Sequence, residues 1–243
     1  MLLEIAVNHL QAAITAEASG AHRIELCDNL REGGTTPSYG YLLQARKHLT
    51  IPVYPIIRPR GGDFLYNDDE FAIMKQDVQL CKQLGFVGVV IGLLQTDGTI
   101  DIKRTAKLVQ LAWPMGVTFH RAFDRANDAF RALKSIIETG CERILTSGQV
   151  PDAPAAAAMI KELVDAAGDQ IIIMPGSGVR ASNLEMLVQQ TGATEFHSSA
   201  KKTAASAMQY RNARFPENDG AYDTVDADEI VRMKEILQSR QGK

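Results

Sequence analysis

The chain has 243 residues, 45% of them hydrophobic, which is enough to bury a full core without disulfides or a structural metal and excludes a disordered or mini-protein scaffold. Its 26 Lys and Arg against 29 Asp and Glu leave a net charge of −3, which argues against a nucleic-acid footprint or a polybasic membrane patch and leaves a small molecule as the expected partner. Cys27, Cys81 and Cys141 are odd in number, 54 and 60 residues apart, and form no C-x-x-C, so neither a disulfide framework nor a zinc knuckle is expected and a reducing cytoplasm fits. The N-terminus lacks a basic n-region, Glu4 interrupts its apolar stretch, and no window approaches eighteen uncharged apolar residues; neither export nor membrane insertion is expected.

In chain order, apolar runs predict eight short strands, at 2–9, 22–28, 53–58, 88–93, 116–123, 143–147, 170–175 and 194–198, with helical patterns between them. Asn67 with Glu70, and Ser182 with Glu185, have the spacing of capping boxes at helix starts. Strict alternation calls for parallel strands, and eight such units in this length favour an α/β fold of one (β/α)8 TIM barrel spanning 1–243. Four segments repeat the order helix end, Gly, short link, strand, at Gly20, Gly85, Gly140 and Gly192; their spacings of 65, 55 and 52 residues are two βα units each. Residues 201–225 are polar and aperiodic and read as a long loop or arm before a closing helix from about Asp226 to Ser239.

Strand alternation then sorts side chains into two layers. On the first strand Leu3, Ile5 and Val7 face the helices, which turns Glu4, Ala6 and Asn8 inward. The same parity turns Glu25 and Cys27 inward on the second strand, Arg58 and Arg60 on the third, and Thr118 and His120 on the fifth, with Asp124 just beyond if the alternation continues. Barrel interiors are normally filled with Val, Ile and Leu, and burying an unpaired charge costs roughly several kcal/mol. Glu4, Glu25, Arg58, His120 and Asp124 therefore form a candidate acid/base constellation at the catalytic strand ends; the alternative is a polar plug whose members neutralise one another.

Across the barrel, the seventh strand ends in Met174-Pro175-Gly176-Ser177-Gly178 and the eighth in Phe196-His197-Ser198-Ser199. Loops in these positions form the usual barrel phosphate site, so Ser177, Gly178, Ser198 and Ser199 are the candidate anion-binding residues, with Arg180 or Lys201 adding charge and Arg58 and Arg60 as clamps on the anion. No lysine lies within the eight strands, which argues against a Schiff-base aldolase. Neither a Gly-x-Ser-x-Gly elbow nor a P-loop appears, and no nucleotide or organic cofactor is implied. Cu(I) prefers thiolate and thioether ligands, and among the cysteines only Cys27 falls at a catalytic strand end, where it could pair with His120 or His197.

The block Ile24-Glu25-Leu26-Cys27-Asp28-Asn29-Leu30-Arg31-Glu32-Gly33-Gly34-Thr35-Thr36-Pro37-Ser38 resembles the CutC family of bacterial copper homeostasis proteins. So do Arg58-Pro59-Arg60-Gly61-Gly62-Asp63-Phe64, Thr118-Phe119-His120-Arg121-Ala122-Phe123-Asp124, Leu145-Thr146-Ser147-Gly148, Met174-Pro175-Gly176-Ser177-Gly178-Val179 and Phe196-His197-Ser198-Ser199; the resemblance runs from residue 1 to about 212. It implies one cytoplasmic (β/α)8 barrel, a homodimer and a role in copper tolerance, but no established reaction. Two expectations follow. The chain binds Cu(I) through Cys27, or it acts by acid/base chemistry on a small phosphorylated or carboxylated metabolite, with Glu25 or Glu4 as base and His120 as acid.

Overall fold

Each of the eight predicted segments forms a strand in the computed structural model, which describes residues 1–210, 212, 214 and 220–240. They are β1 (Leu2–Val7), β2 (Arg23–Leu26), β3 (Val53–Pro55), β4 (Gly88–Ile91), β5 (Gly116–Phe119), β6 (Arg143–Thr146), β7 (Ile172–Pro175) and β8 (Glu195–Ser198). All pair in parallel, in the orders β3-β2-β1-β8 and β4-β5-β6-β7. A parallel bridge between Ile56 and Val90 joins the two arcs on one side, and β7 lies against β8 on the other, which closes the barrel.

Eight helices surround it among the described residues: α1 (Leu10–Ala18), α2 (Tyr39–His48), α3 (Asp68–Gln83), α4 (Ile102–Ala112), α5 (Ala129–Thr139), α6 (Ala157–Ala167), α7 (Ala181–Thr191) and α8 (Ala227–Ser239). Their starts follow local chemistry. Asn67 and Glu70 form the expected capping box at α3, and Ser38, Asp101, Asp128 and Asp226 each accept a backbone N–H at their helix starts. Ser182 and Glu185 do not form the box their spacing suggests. Helix α7 has already begun at Ala181, and Asn183 reaches back to the Arg180 N–H at 2.9 Å. The four echoed glycines all take the left-handed conformation, with φ from 70° to 99°, which turns the chain from helix back to the barrel floor.

Alternation along the strands separates two apolar layers. Leu3, Ile5, Val7, Ile24 and Leu26 join the large core between barrel and helices, whereas Cys27, Tyr54, Ile56 and Val90 form a small cluster of their own inside the barrel. Within the stretch read as a long loop or arm, of which residues 211, 213 and 215–219 lie outside the described residues, β9 (Lys201–Ala204) and β10 (Tyr222–Val225) pair antiparallel, Lys201 opposite Val225, and β10 leads directly into α8. This ribbon lies over the end of the barrel where the strands finish.

Candidate functional site at the barrel mouth

The barrel interior is stratified by charge. Arg23 at the start of β2 and Arg143 at the start of β6 come from opposite walls, and both bind Glu195 of β8, at 2.6 Å and 2.5 Å. Arg23 also donates to Glu4. Two guanidiniums thus face two carboxylates in a buried layer, each ion satisfied by its neighbours, which is the condition under which burying them is tolerable. Tyr54 caps this layer, donating to Glu142 at 2.8 Å beneath the Arg23 guanidinium.

Above that layer a cavity of about 210 Å³ opens toward the ends of the strands. Its inner wall is made by Ala6, Glu25, Ile56, His120, Leu145 and His197. Its mouth is formed by Asn8, Arg31, Arg121, Ser199 and Lys201, with Asp223, Thr224 and Val225 of the ribbon closing one side. Lys201 and Arg31 both reach the Asp223 carboxylate, at 3.0 Å and 3.3 Å, so the rim carries two cations around one anion.

His197 joins the layer to the cavity. Its Nδ1 lies 2.8 Å from Glu4 Oε1 and its Nε2 3.7 Å from Glu25 Oε2. Glu4 is fully buried, yet the Arg23 guanidinium and the His197 bond outweigh burial and hold its carboxyl down at about 2. Glu25 has no guanidinium or ammonium bonded to it among the described residues. Burial, reinforced by the Glu4 charge, pushes it up to about 7 against the pull of His197. The His197 imidazole is itself raised, because its bond to Glu4 and the charges of Glu25 and Glu4 overcome burial. One carboxylate is a fixed anion, and the other is a group that gains and loses a proton near neutrality.

His120, one residue past β5, is held differently. The backbone N–H of Ala122 donates to its Nδ1 at 3.1 Å, so the neutral ring carries its proton on Nε2. That Nε2–H is buried and has no protein partner among the described residues, while the ring lines the cavity. Burial and the Arg58 charge push the imidazole down to about 3, so it stays neutral. Phe64 packs against it at 5.0 Å, and the ring sits where a Cβ on Gly92 would be, so only glycine at that position leaves room.

The remaining predicted residues are placed elsewhere. Arg58 is buried but spent on the loops, donating to the carbonyls of Glu32, Gly34 and Gly62 at 2.7–2.8 Å. Arg60 lies beyond the end of β3, where strand alternation no longer holds. It is turned away from the cavity toward Glu70 and Asp63. Asp124 sits in a helical turn after β5 and accepts from Thr146 Oγ1, from the Ser147 N–H and hydroxyl, and from Arg121 Nε. It fastens the β5 and β6 loops together and positions Arg121.

Of the anion set, Ser199 lines the cavity mouth. Ser177 donates to the Pro151 carbonyl and Ser198 to the Val179 carbonyl. Gly178 lies against the Asp152 carboxylate, and the first N–H of α7 is taken by Glu229 of α8 at 2.8 Å. The usual barrel phosphate cradle therefore contains the protein's own carboxylates.

Sequence reasoning missed His197 as a central member, and with it Arg23, Arg143 and Glu195. Parity could have found Arg23, two residues before Glu25, and Glu195 and His197, which flank the outward-facing Phe196; Arg143 is recognisable only from its register opposite the inward-facing Thr118. Lys201 lines the cavity, as its place just after the eighth strand suggests for a residue adding charge to an anion site, whereas its ribbon partner Asp223 had no local signal.

Cys27 does not fit a Cu(I) site. Its thiol is buried in the Tyr54, Ile56 and Val90 cluster and donates to Glu25; burial and that carboxylate raise it well above its ordinary value, the opposite of what a thiolate ligand needs. Cys81 and Cys141 are buried elsewhere. Among the described residues no group of three or more His, Cys, Asp or Glu is arranged to hold a metal ion, and no helix is long and apolar enough to cross a membrane.

A family model described as the CutC family matches residues 1–202. A CutC family protein of Chromobacterium violaceum is 52% identical over 210 residues, which is 86% of this chain and 85% of that one. Another from Salmonella heidelberg is 46% identical over an alignment covering 100% of this chain and 99% of its own. The crystal structure of the CutC protein of Streptococcus agalactiae, to which a role in copper homeostasis has been attributed, superposes with a TM-score of 0.78 at 34% identity, covering 82% of this chain and 98% of that one.

Proposed function

We propose, from the premise that this chain belongs to the CutC family, that its barrel mouth binds a small phosphorylated or carboxylated metabolite and moves a proton on it. Glu25 is the proton acceptor, and Arg121, Lys201 and Arg31 attract the anion. The observation that carries this is the position of Glu25: a cavity-lining carboxyl lifted to about 7, with His197 and the Cys27 thiol behind it and no arginine bonded to it. The copper homeostasis role attributed to a family member is, in this reading, a cellular consequence of that chemistry and not of a copper ion held by Cys27. The cytoplasmic setting and homodimeric assembly implied by the family belong to the same proposal.

Calorimetric titration with inorganic phosphate, pyruvate and dihydroxyacetone phosphate, beside a Cu(I) titration of the reduced protein against a chelator, tests it. The expected result is saturable anion binding weakened about tenfold by Arg121→Ala or Lys201→Ala, roughly the loss of one charge-assisted hydrogen bond. Stoichiometric Cu(I) binding that vanishes in Cys27→Ser, with no binding of any small anion, would overturn it.

A further inference from the structure

We infer, building on the acid/base reading of the cavity, that the substrate carries a carbonyl group beside an acidic C–H bond, and that His120 is a catalytic residue whose Nε2–H holds the carbonyl oxygen while Glu25 takes the proton. A buried N–H without a partner costs about 1–3 kcal/mol, so the fold maintains this donor at a loss unless a ligand accepts from it. Everything around the ring fixes it in that role. The Ala122 N–H sets the tautomer, Phe64 packs against the ring, and the missing side chain at Gly92 makes its space.

A neutral imidazole is matched to this task. It donates to an oxygen that becomes negative in the transition state while keeping its own proton. Glu25 is acceptor-only when ionised, and it reaches the same cavity from β2. At about 210 Å³ the space is below the roughly 300–1,000 Å³ of sites for drug-sized ligands, so it suits a substrate of a few carbons with its anionic group among the rim cations.

The step balances without an oxidant or a cofactor. A Glu25 oxygen forms a bond to the proton as the substrate C–H breaks. The C–H electron pair becomes the C=C bond, and the C=O π pair moves onto the oxygen held by His120. The proton on Glu25 then returns to the same carbon, exchanging it; in a hydroxycarbonyl substrate it adds instead to the former carbonyl carbon as the neighbouring hydroxyl passes its proton to the oxygen held by His120 and becomes the new carbonyl, isomerising the substrate.

Deuterium incorporation in D2O, followed by proton NMR, provides the test, with pyruvate and dihydroxyacetone phosphate as carbonyl probes and lactate and glycerol phosphate as their reduced counterparts. The wild-type protein is expected to exchange the carbonyl probes and bind them more tightly than the reduced pair. His120→Ala should lose about 10²-fold or more of the exchange, His120→Gln should retain part of it through its amide N–H, and Glu25→Gln should abolish exchange while still binding. If carbonyl and reduced probes bind equally and no deuterium enters, the inference falls while the anion site stands. If none of the four binds, both fall. The wild-type comparison decides even where a variant fails to fold.

Discussion

His197 Nδ1 lies 2.8 Å from Glu4 Oε1 at the seam where β1 meets β8, so one face of the imidazole is committed to a permanent anion before any ligand arrives. The ring's other nitrogen is left to Glu25, and two glutamates on neighbouring strands are driven to opposite ends of the carboxyl range, about 2 and about 7.

Removing the Glu4 charge should damage the fold more than any single loss at the cavity rim. Glu4→Gln leaves Arg23 with only Glu195, and an unmatched buried ion costs about 3–5 kcal/mol. Urea denaturation at neutral pH measures this; a cost under about 1 kcal/mol would mean that the charged layer does not depend on Glu4.

Stability should be greatest on the acid side of neutrality. Glu25 is raised in the fold from an ordinary 4.5, so its contribution is complete below 4.5 and is lost as pH rises through about 7. His197, also raised, acts in the same direction, its contribution complete below 6.5 and lost as pH rises through its folded value. Glu4 and His120 act oppositely: Glu4 contributes above 4.5 and loses that contribution as pH falls toward 2, and His120 contributes above 6.5 and loses it as pH falls toward 3, so the optimum lies just below neutrality. Melting curves from pH 4 to 9 should therefore fall on the alkaline limb by the equivalent of on the order of 1–3 kcal/mol, and Glu25→Gln should flatten that limb.

Gly92→Ala is expected to disable the site through one methyl group. The new Cβ would overlap His120, forcing the ring or β4 to move, with a stability loss of about 1–3 kcal/mol and loss of exchange on the carbonyl probes. Wild-type exchange in a folded Gly92→Ala protein would show that the ring is not held where the chemistry needs it.

Asp124→Asn separates a fastener from an acid. With its donors already supplied by Thr146, Ser147 and Arg121, loss of the charge should cost about 2–4 kcal/mol and weaken anion binding through Arg121, without moving the pH profile set by Glu25. A shifted pH profile would instead assign Asp124 to proton transfer.

Strand order, parity and the inward positions of Glu4, Glu25 and His120 were legible because one face of each strand must meet the helices, and Leu3, Ile5, Ile24 and Leu26 mark that face. Parity stopped being informative where strands stop. Arg60 and Asp124 lie past the ends of β3 and β5, in turns whose direction depends on hydrogen bonds no periodicity encodes. Arg23, Arg143 and Glu195 obey the rule but sit at strand starts, the opposite end of the barrel from the one that carries catalysis in this fold. The β9–β10 ribbon was hidden because its pairing is non-local and its residues alternate no apolar face.

Because Glu4 and His197 are 193 positions apart and the rim is completed by residues 223–225, the first strand waits for almost the whole chain before its acid finds its partner. During synthesis, the segments bearing Glu25 and His120 leave the ribosome well before the strand and ribbon that complete the pocket around them. The cavity is thus tied to closure of the ring, and a half-made barrel has no finished pocket around Glu25 and His120.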